Sequence, residues 1–220
     1  MPVALRIGSG GEPVGSQMGD HDTSPTESVN SVLTALLRHG LLLKQDKAVP
    51  SVVGILTGES LRTSWWNHPK SHLIFSVLSE LSDHPEVLFT KVLYRKDTLV
   101  HSSLWPALLT VACSRESWQV GGLSASAADL LHRVDRDQPL VRATGSAVKE
   151  LEIRLLVAAH EVHTESGRHE MALESWQAWS ARVQCKPLAS NTLARETLER
   201  AATNLGAALT AFPWRAGEIA

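Results

Sequence analysis

The chain has 220 residues, of which 43% are hydrophobic and 20% charged. This is the composition of a globular protein with enough apolar material for a core. The formal net charge is −2, so no overall excess of charge points to a nucleic acid or a membrane surface. We find no signal peptide and no apolar stretch long enough to cross a bilayer, and therefore expect a cytoplasmic protein without a membrane partner.

The N-terminal segment, residues 1–24, contains five glycines and few large apolar side chains. We predict a flexible tail there, because such a segment buries too little surface to offset the entropy of ordering. Residues 25–216 are predicted to form a single globular domain with two halves, 25–115 and 120–216. Ser24 to Glu27 form a capping box with proline at the first helical position, which predicts a helix that ends at Gly40.

The segment between residues 49 and 56 is apolar and fits either a strand or a short helix. A second helix is predicted to follow Pro69, with a buried stripe of Ile74, Val77, Leu78 and Leu81. After it, 87–93 and 99–102 are predicted to form a β-hairpin around a polar turn.

The remaining pattern is helical, at about 104–114, 125–135, 147–164, 168–184 and 191–210. Short connections predict that the last three helices pack as an antiparallel bundle. The predicted fold class is therefore mainly α with a small β-hairpin. In this fold a winged-helix-like N-terminal half packs on a C-terminal helical bundle.

The winged-helix interpretation predicts nucleic-acid binding, with the helix over 69–82 in a groove and the hairpin as the wing. The contacts would come from the side chains that are cationic or aromatic in this half, namely Arg62, Trp66, Lys70, Lys91, Arg95 and Lys96. The charge balance does not favour this function, because five acidic residues offset the five cations over 50–105. The same half could instead contact another protein.

The Trp65-Trp66 pair precedes the second predicted helix. An exposed indole near Arg62 would suit stacking on a base or clamping a partner. The alternative, which the large area of the rings favours, is that both indoles pack inward from a loop.

A histidine cluster occupies the predicted turn between two C-terminal helices. His160 and His163 would share a helix face, and the turn at Gly167 could bring His169 towards them. Together they could hold a divalent metal, with Glu161 or Glu165 as the base of a hydrolase. The alternative is a polar, capped turn without a metal.

The sequence thus leaves three functions open. The first is a non-enzymatic module that binds DNA or RNA, for which we expect no cofactor. The second is a metal-dependent hydrolase with the histidine cluster as its site, and the third is a protein–protein adaptor. The sequence does not decide whether the protein is an enzyme, nor does it indicate an oligomeric state.

Overall fold

The computed structural model describes residues 24–136, 140–163 and 169–215, without the side chains of residues 163 and 169. Of the predicted tail, all but Ser24 lies outside the described residues. The helices and strands are α1 (Pro25–His39), β1 (Leu41–Leu43), α2 (Val52–Thr57), α3 (Ser71–Ser82), β2 (Val87–Leu93), β3 (Lys96–His101), α4 (Trp105–Ala112), α5 (Ser117–Val120), α6 (Ala125–Arg136), β4 (Val141–Ala143), α7 (Ser146–Ile153), β5 (Ala158–His163), β6 (His169–Glu174), α8 (Trp176–Arg182) and α9 (Asn191–Leu205). Short 3-10 helices lie at Trp65–Asn67, Ser102–Leu104 and Leu209–Ala211. None of the helices in these ranges is long and apolar enough to cross a membrane.

The predicted boundaries of α1 are confirmed. The Ser24 hydroxyl accepts a hydrogen bond from the backbone N–H of Glu27 at 3.3 Å, and the Glu27 carboxylate accepts one from the Ser24 N–H at 3.0 Å. At the other end Gly40 is left-handed, with φ of 74°, and its N–H donates to the Leu36 carbonyl. Both ends of α1 are therefore set by local hydrogen bonds that the sequence encodes within a few residues.

The first sheet is antiparallel, with strand order β1-β3-β2. The predicted hairpin is confirmed as β2 and β3, in which Val87 lies opposite His101 and Thr90 opposite Thr98. Its turn is tight: Tyr94 and Arg95 have φ values of 53° and 56°, the left-handed conformation that two-residue hairpin turns require. The ambiguous segment before α3 forms the short helix α2.

The second sheet contradicts the predicted fold class. It is a three-stranded antiparallel sheet of order β4-β6-β5, built where the sequence predicts a bundle of helices. The described chain is 53% helical and 16% strand, an α+β mixture. The prediction of a mainly α protein, with a winged-helix-like half packed on a C-terminal helical bundle, is therefore wrong.

The predicted helix over 147–164 ends early because the backbone turns at Leu155. This residue has a φ of 53°, and its carbonyl accepts a hydrogen bond from the buried indole of Trp176 at 2.8 Å. The chain then continues as β5 and pairs with β6, so that His160 lies opposite Ala172. The predicted helix over 168–184 likewise divides into β6 and α8.

Two apolar clusters underlie the sheets. The first combines α1, α3, the first sheet, α4, α8 and α9, and its largest fully buried side chains include Trp176 and Phe212. The second lies between α6, α7 and the second sheet, with Leu151 and Leu173 fully buried. The extent of a single domain over 25–216 stays a prediction.

Candidate functional site

Two large aromatic side chains lie side by side on the surface near the start of α3. Trp66 is 61% exposed and Phe75 is 49% exposed, and their ring centroids are 6.1 Å apart. We call these two residues the aromatic surface. Neighbouring exposed aromatic rings are uncommon away from interaction sites, since burying them against a partner would remove a large apolar area from water.

The indole of Trp66 packs on the indole of Trp65. The Ser64 hydroxyl accepts a hydrogen bond from the Trp66 N–H and starts the 3-10 helix. Trp65 is buried in the core, and its ring stacks on that of Trp66 at a centroid distance of 4.0 Å. The burial expected for both indoles thus holds for Trp65 alone, because successive residues of a 3-10 helix point about 120° apart.

Phe75 belongs to the outward face of α3. The predicted buried stripe of this helix is confirmed, and Phe75 lies beside it, next to the buried Ile74. His72, Ser76 and Ser79 are exposed on the same outward face. Phe75 is not among the residues predicted from the sequence, although an aromatic residue outside an otherwise complete helical stripe is a signal that identifies it.

The residues predicted to contact nucleic acid do not form one free cationic face. Lys96 is 2.8 Å from the Asp46 carboxylate, and Lys91 is paired with Asp97. The Lys70 ammonium donates to the Leu56 carbonyl at 3.1 Å.

Arg62 and Trp66 are exposed, as the nucleic-acid interpretation requires. Arg95 is also exposed, but it lies in the tight hairpin turn.

The hairpin turn is held against the C-terminal segment. The Tyr94 N–H donates to the Ala211 carbonyl at 2.8 Å, and the Tyr94 hydroxyl accepts from the Ala208 N–H at 3.0 Å. The turn predicted to act as the tip of a wing therefore has part of its polar surface bound within the protein.

A cluster of charged side chains lies where the two sheets approach each other. Asp97 is paired with Lys91 and lies 3.5 Å from Lys44. Burial raises the pKa of Asp97, but its hydrogen bonds and ion pairs with the two lysines outweigh burial and leave the pKa below its usual range. Glu152 of α7 faces this cluster, and burial raises its pKa despite the attraction of Lys91. Glu152 and Phe89 both line a small cavity.

The predicted metal site is not brought together on a helix. His160 is exposed in the strand β5, where residues two apart share a face, so the helical spacing used for His160 and His163 does not apply. The side chains of His163 and His169 lie outside the described residues, as does Glu165. Within the part of the chain that the structure describes, no group of three or more His, Cys, Asp or Glu residues could hold a metal ion.

An open depression of about 320 Å³ lies beside α2. Its lining contains one ionisable side chain, Glu59, whose carboxylate is 3.1 Å from the His68 ring nitrogen. His68 is not among the residues that line the depression, so Glu59 is the one ionisable group on its surface.

Comparison with protein-family models, with curated proteins and with solved structures finds no match.

Proposed function

We propose that this protein is a non-enzymatic adaptor that docks another protein on the aromatic surface. The observation that carries the proposal is the exposure of Trp66, at 61%, on top of the buried Trp65 and beside the exposed Phe75. Tryptophan is enriched among residues that dominate binding energy, because one ring buries much area at a low entropic cost. The stacking on Trp65 reduces that cost further by fixing the ring in place.

The charges around the hairpin favour a protein partner over a nucleic acid. Affinity for a phosphate backbone depends on several cations that are free to replace counterions. Lys91 and Lys96 already have carboxylate partners in this chain. Breaking those pairs would subtract from the binding energy.

Nucleic-acid binding remains a second candidate for one reason. Arg62 and Trp66 are both exposed and lie four residues apart, and an indole next to a guanidinium can stack on an unpaired base. This candidate uses the same residues, so the two functions are separated by the ligand and not by the location of the site.

The adaptor function can be tested by selecting peptides from a random display library on the intact protein. We expect the recovered peptides to carry bulky apolar residues. We also expect Trp66→Ala to weaken their binding roughly 30-fold, the loss of about 2 kcal/mol typical of a dominant contact. Leu209→Ala is the matched control, because Leu209 is another exposed apolar residue, at 44%, outside the aromatic surface. Equal affinity of the peptides for wild type and Trp66→Ala would contradict the proposal.

A labelled single-stranded oligonucleotide at low salt tests the second candidate. The adaptor proposal expects no binding. Oligonucleotide binding that is lost in both Arg62→Ala and Trp66→Ala, without any recovered peptide, would replace the adaptor with a nucleic-acid-binding module.

A further inference from the structure

We propose that the protein segment docked on the aromatic surface carries an acidic residue next to its apolar anchor, and that this acid faces Arg62 and Lys70. The inference rests on the proposed adaptor function, and it names the chemistry of the partner. Its evidence is the charge of the chain segment that carries Trp66.

The segment that presents Trp66 carries more positive than negative charge. Arg62 is exposed, and within the described ranges neither Arg62 nor Lys70 has a carboxylate within ion-pair distance. Glu59 is the one acidic residue of the sequence over 59–72, and its carboxylate is 3.1 Å from the His68 ring. The two cations on either side of Trp66 in the chain therefore form no ion pair within the described residues.

The lysines of the hairpin show the opposite arrangement. Lys91 and Lys96 each have a carboxylate partner, in Asp97 and Asp46. In the part of the chain that the structure describes, Arg62 and Lys70 have no carboxylate partner, and the Lys70 ammonium has only the Leu56 carbonyl as acceptor. A partner's carboxylate could pair with either cation, and charges at the rim of an interface select between partners and speed their encounter.

The stability of α3 does not explain this distribution of charge. The helix has no acidic residue in its first turn and no basic residue in its last turn, with Lys70 at its N-cap and Asp83 at its C-cap. Both charges oppose the helix dipole, which favours the reverse arrangement. The dipole of α3 therefore gives no reason for a lysine at its start or an aspartate at its end.

The same charges give the surface a direction. Lys70, at the N-cap of α3, and the exposed Asp83, at its C-cap, are thirteen residues apart, which is about 20 Å at the rise of an α-helix. Phe75 lies between them. A partner segment with its acid over Arg62 and Lys70 meets attraction at that end, whereas an acid placed over Asp83 would be repelled.

The experiment uses the peptides recovered on the intact wild-type protein. We expect Asp or Glu next to the apolar anchor. We also expect a change of that acid to Lys to weaken binding about three- to fivefold at low salt, as an exposed ion pair does. Arg62→Glu should weaken binding of the acidic peptide by a similar factor, and it should restore binding of the peptide in which the acid is changed to Lys. Arg133→Glu is the matched control, because Arg133 is an exposed arginine on α6, and it should change neither affinity.

The outcomes separate the two proposals. This inference would be overturned by peptides that require Trp66 but are neutral or basic, or that bind Arg62→Glu with unchanged affinity. Either result would leave the adaptor function in place. If no peptide is recovered, or if the recovered peptides bind Trp66→Ala unchanged, both proposals fall. Binding of an oligonucleotide through Arg62 in place of an acidic peptide would also overturn the inference.

Discussion

At the scale of single residues, Trp176 determines where α7 gives way to the second sheet. Its side chain is 1% exposed, and its indole N–H donates to the carbonyl of Leu155, the residue with positive φ at the end of α7. We expect Trp176→Phe to lower the free energy of unfolding by about 1–3 kcal/mol, because the buried carbonyl loses its donor. Trp66→Phe, on the surface, should change it by less than about 0.5 kcal/mol.

Denaturant titration of both variants checks this prediction. Similar losses in the two would show that the hydrogen bond of Trp176 has no special role at the end of α7.

Glu152 gives a prediction about pH. Burial raises its pKa, Lys91 and Lys149 lower it less, and Asp97 adds to the rise. In the unfolded chain this carboxyl loses its proton near its ordinary pKa of about 4.3, whereas in the folded protein it keeps the proton to a higher pH. The folded state therefore loses stability relative to the unfolded state as pH rises above about 4.3. We therefore expect Glu152→Gln to stabilise the protein at neutral pH, and we expect this advantage to shrink below about pH 4.

Glu150 is the matched control on the same helix. The Ser124 hydroxyl and N–H donate to its carboxylate at 2.7 and 3.1 Å, and these hydrogen bonds hold its pKa below the usual range. Glu150→Gln should therefore lose stability at neutral pH, with the loss disappearing as pH falls. Unfolding free energies of both variants at neutral and acidic pH test the opposite signs, and equal signs would contradict the account.

At the scale of elements, α1 depends on its capping box. We expect Ser24→Ala to cost about 1 kcal/mol, because the N–H of Glu27 loses its acceptor. Ser31→Ala, an exposed position in the middle of α1, keeps the cap and should be neutral or slightly stabilising. Thermal unfolding of the two variants separates the cap from a general effect of alanine, and a lower midpoint for Ser31→Ala than for Ser24→Ala would refute it.

The elements that could be predicted from sequence are those with local signals. Each cap of α1 is made by residues three or four apart in the chain, the apolar stripe of α3 repeats within one helix, and the hairpin needs only a short turn. β5 and β6 gave no such signal, because residues such as Ala158, Met171 and Leu173 favour helices when considered alone. The pairing of β5 with β6, and the packing of Trp176 against Leu155, override that preference.

The candidate site could be predicted in part for the same reason. Arg62 and Trp66 are noticeable in the sequence because they lie close together near a predicted helix. The ion pair of Lys96 with Asp46 could not be predicted from the sequence, because the two residues are 50 positions apart in the chain. Only the folded arrangement shows which cations are already paired.

At the scale of the whole molecule, Arg154 links the end of α7 to α5 and to Gly121, which follows it. Its guanidinium donates to the carbonyls of Trp118, Gln119 and Gly121, at 3.3, 3.1 and 2.7 Å. All three bonds come from Nη1, while Nη2 donates to the Gly122 carbonyl at 3.5 Å and lies 3.6 Å from the Glu150 carboxylate. The single terminal nitrogen of a lysine cannot make both sets of contacts. We expect Arg154→Lys to lower the free energy of unfolding by about 1–3 kcal/mol.

Arg133→Lys, at an exposed position on α6, is the control for Arg154→Lys and should change stability by less than about 0.5 kcal/mol. Denaturant titration measures both. An unchanged midpoint for Arg154→Lys would mean that this link contributes little to the folded molecule.

If the protein is an adaptor, a bound partner should change the environment of the aromatic surface more than that of any other part of the molecule. The chain has seven tryptophans, and each indole N–H gives its own signal in a proton–nitrogen NMR spectrum. The signal lost in Trp66→Phe identifies Trp66. On titration with the tightest recovered peptide, the account predicts that this signal shifts most. A shift confined to other indoles, with the Trp66 signal unmoved, would contradict it.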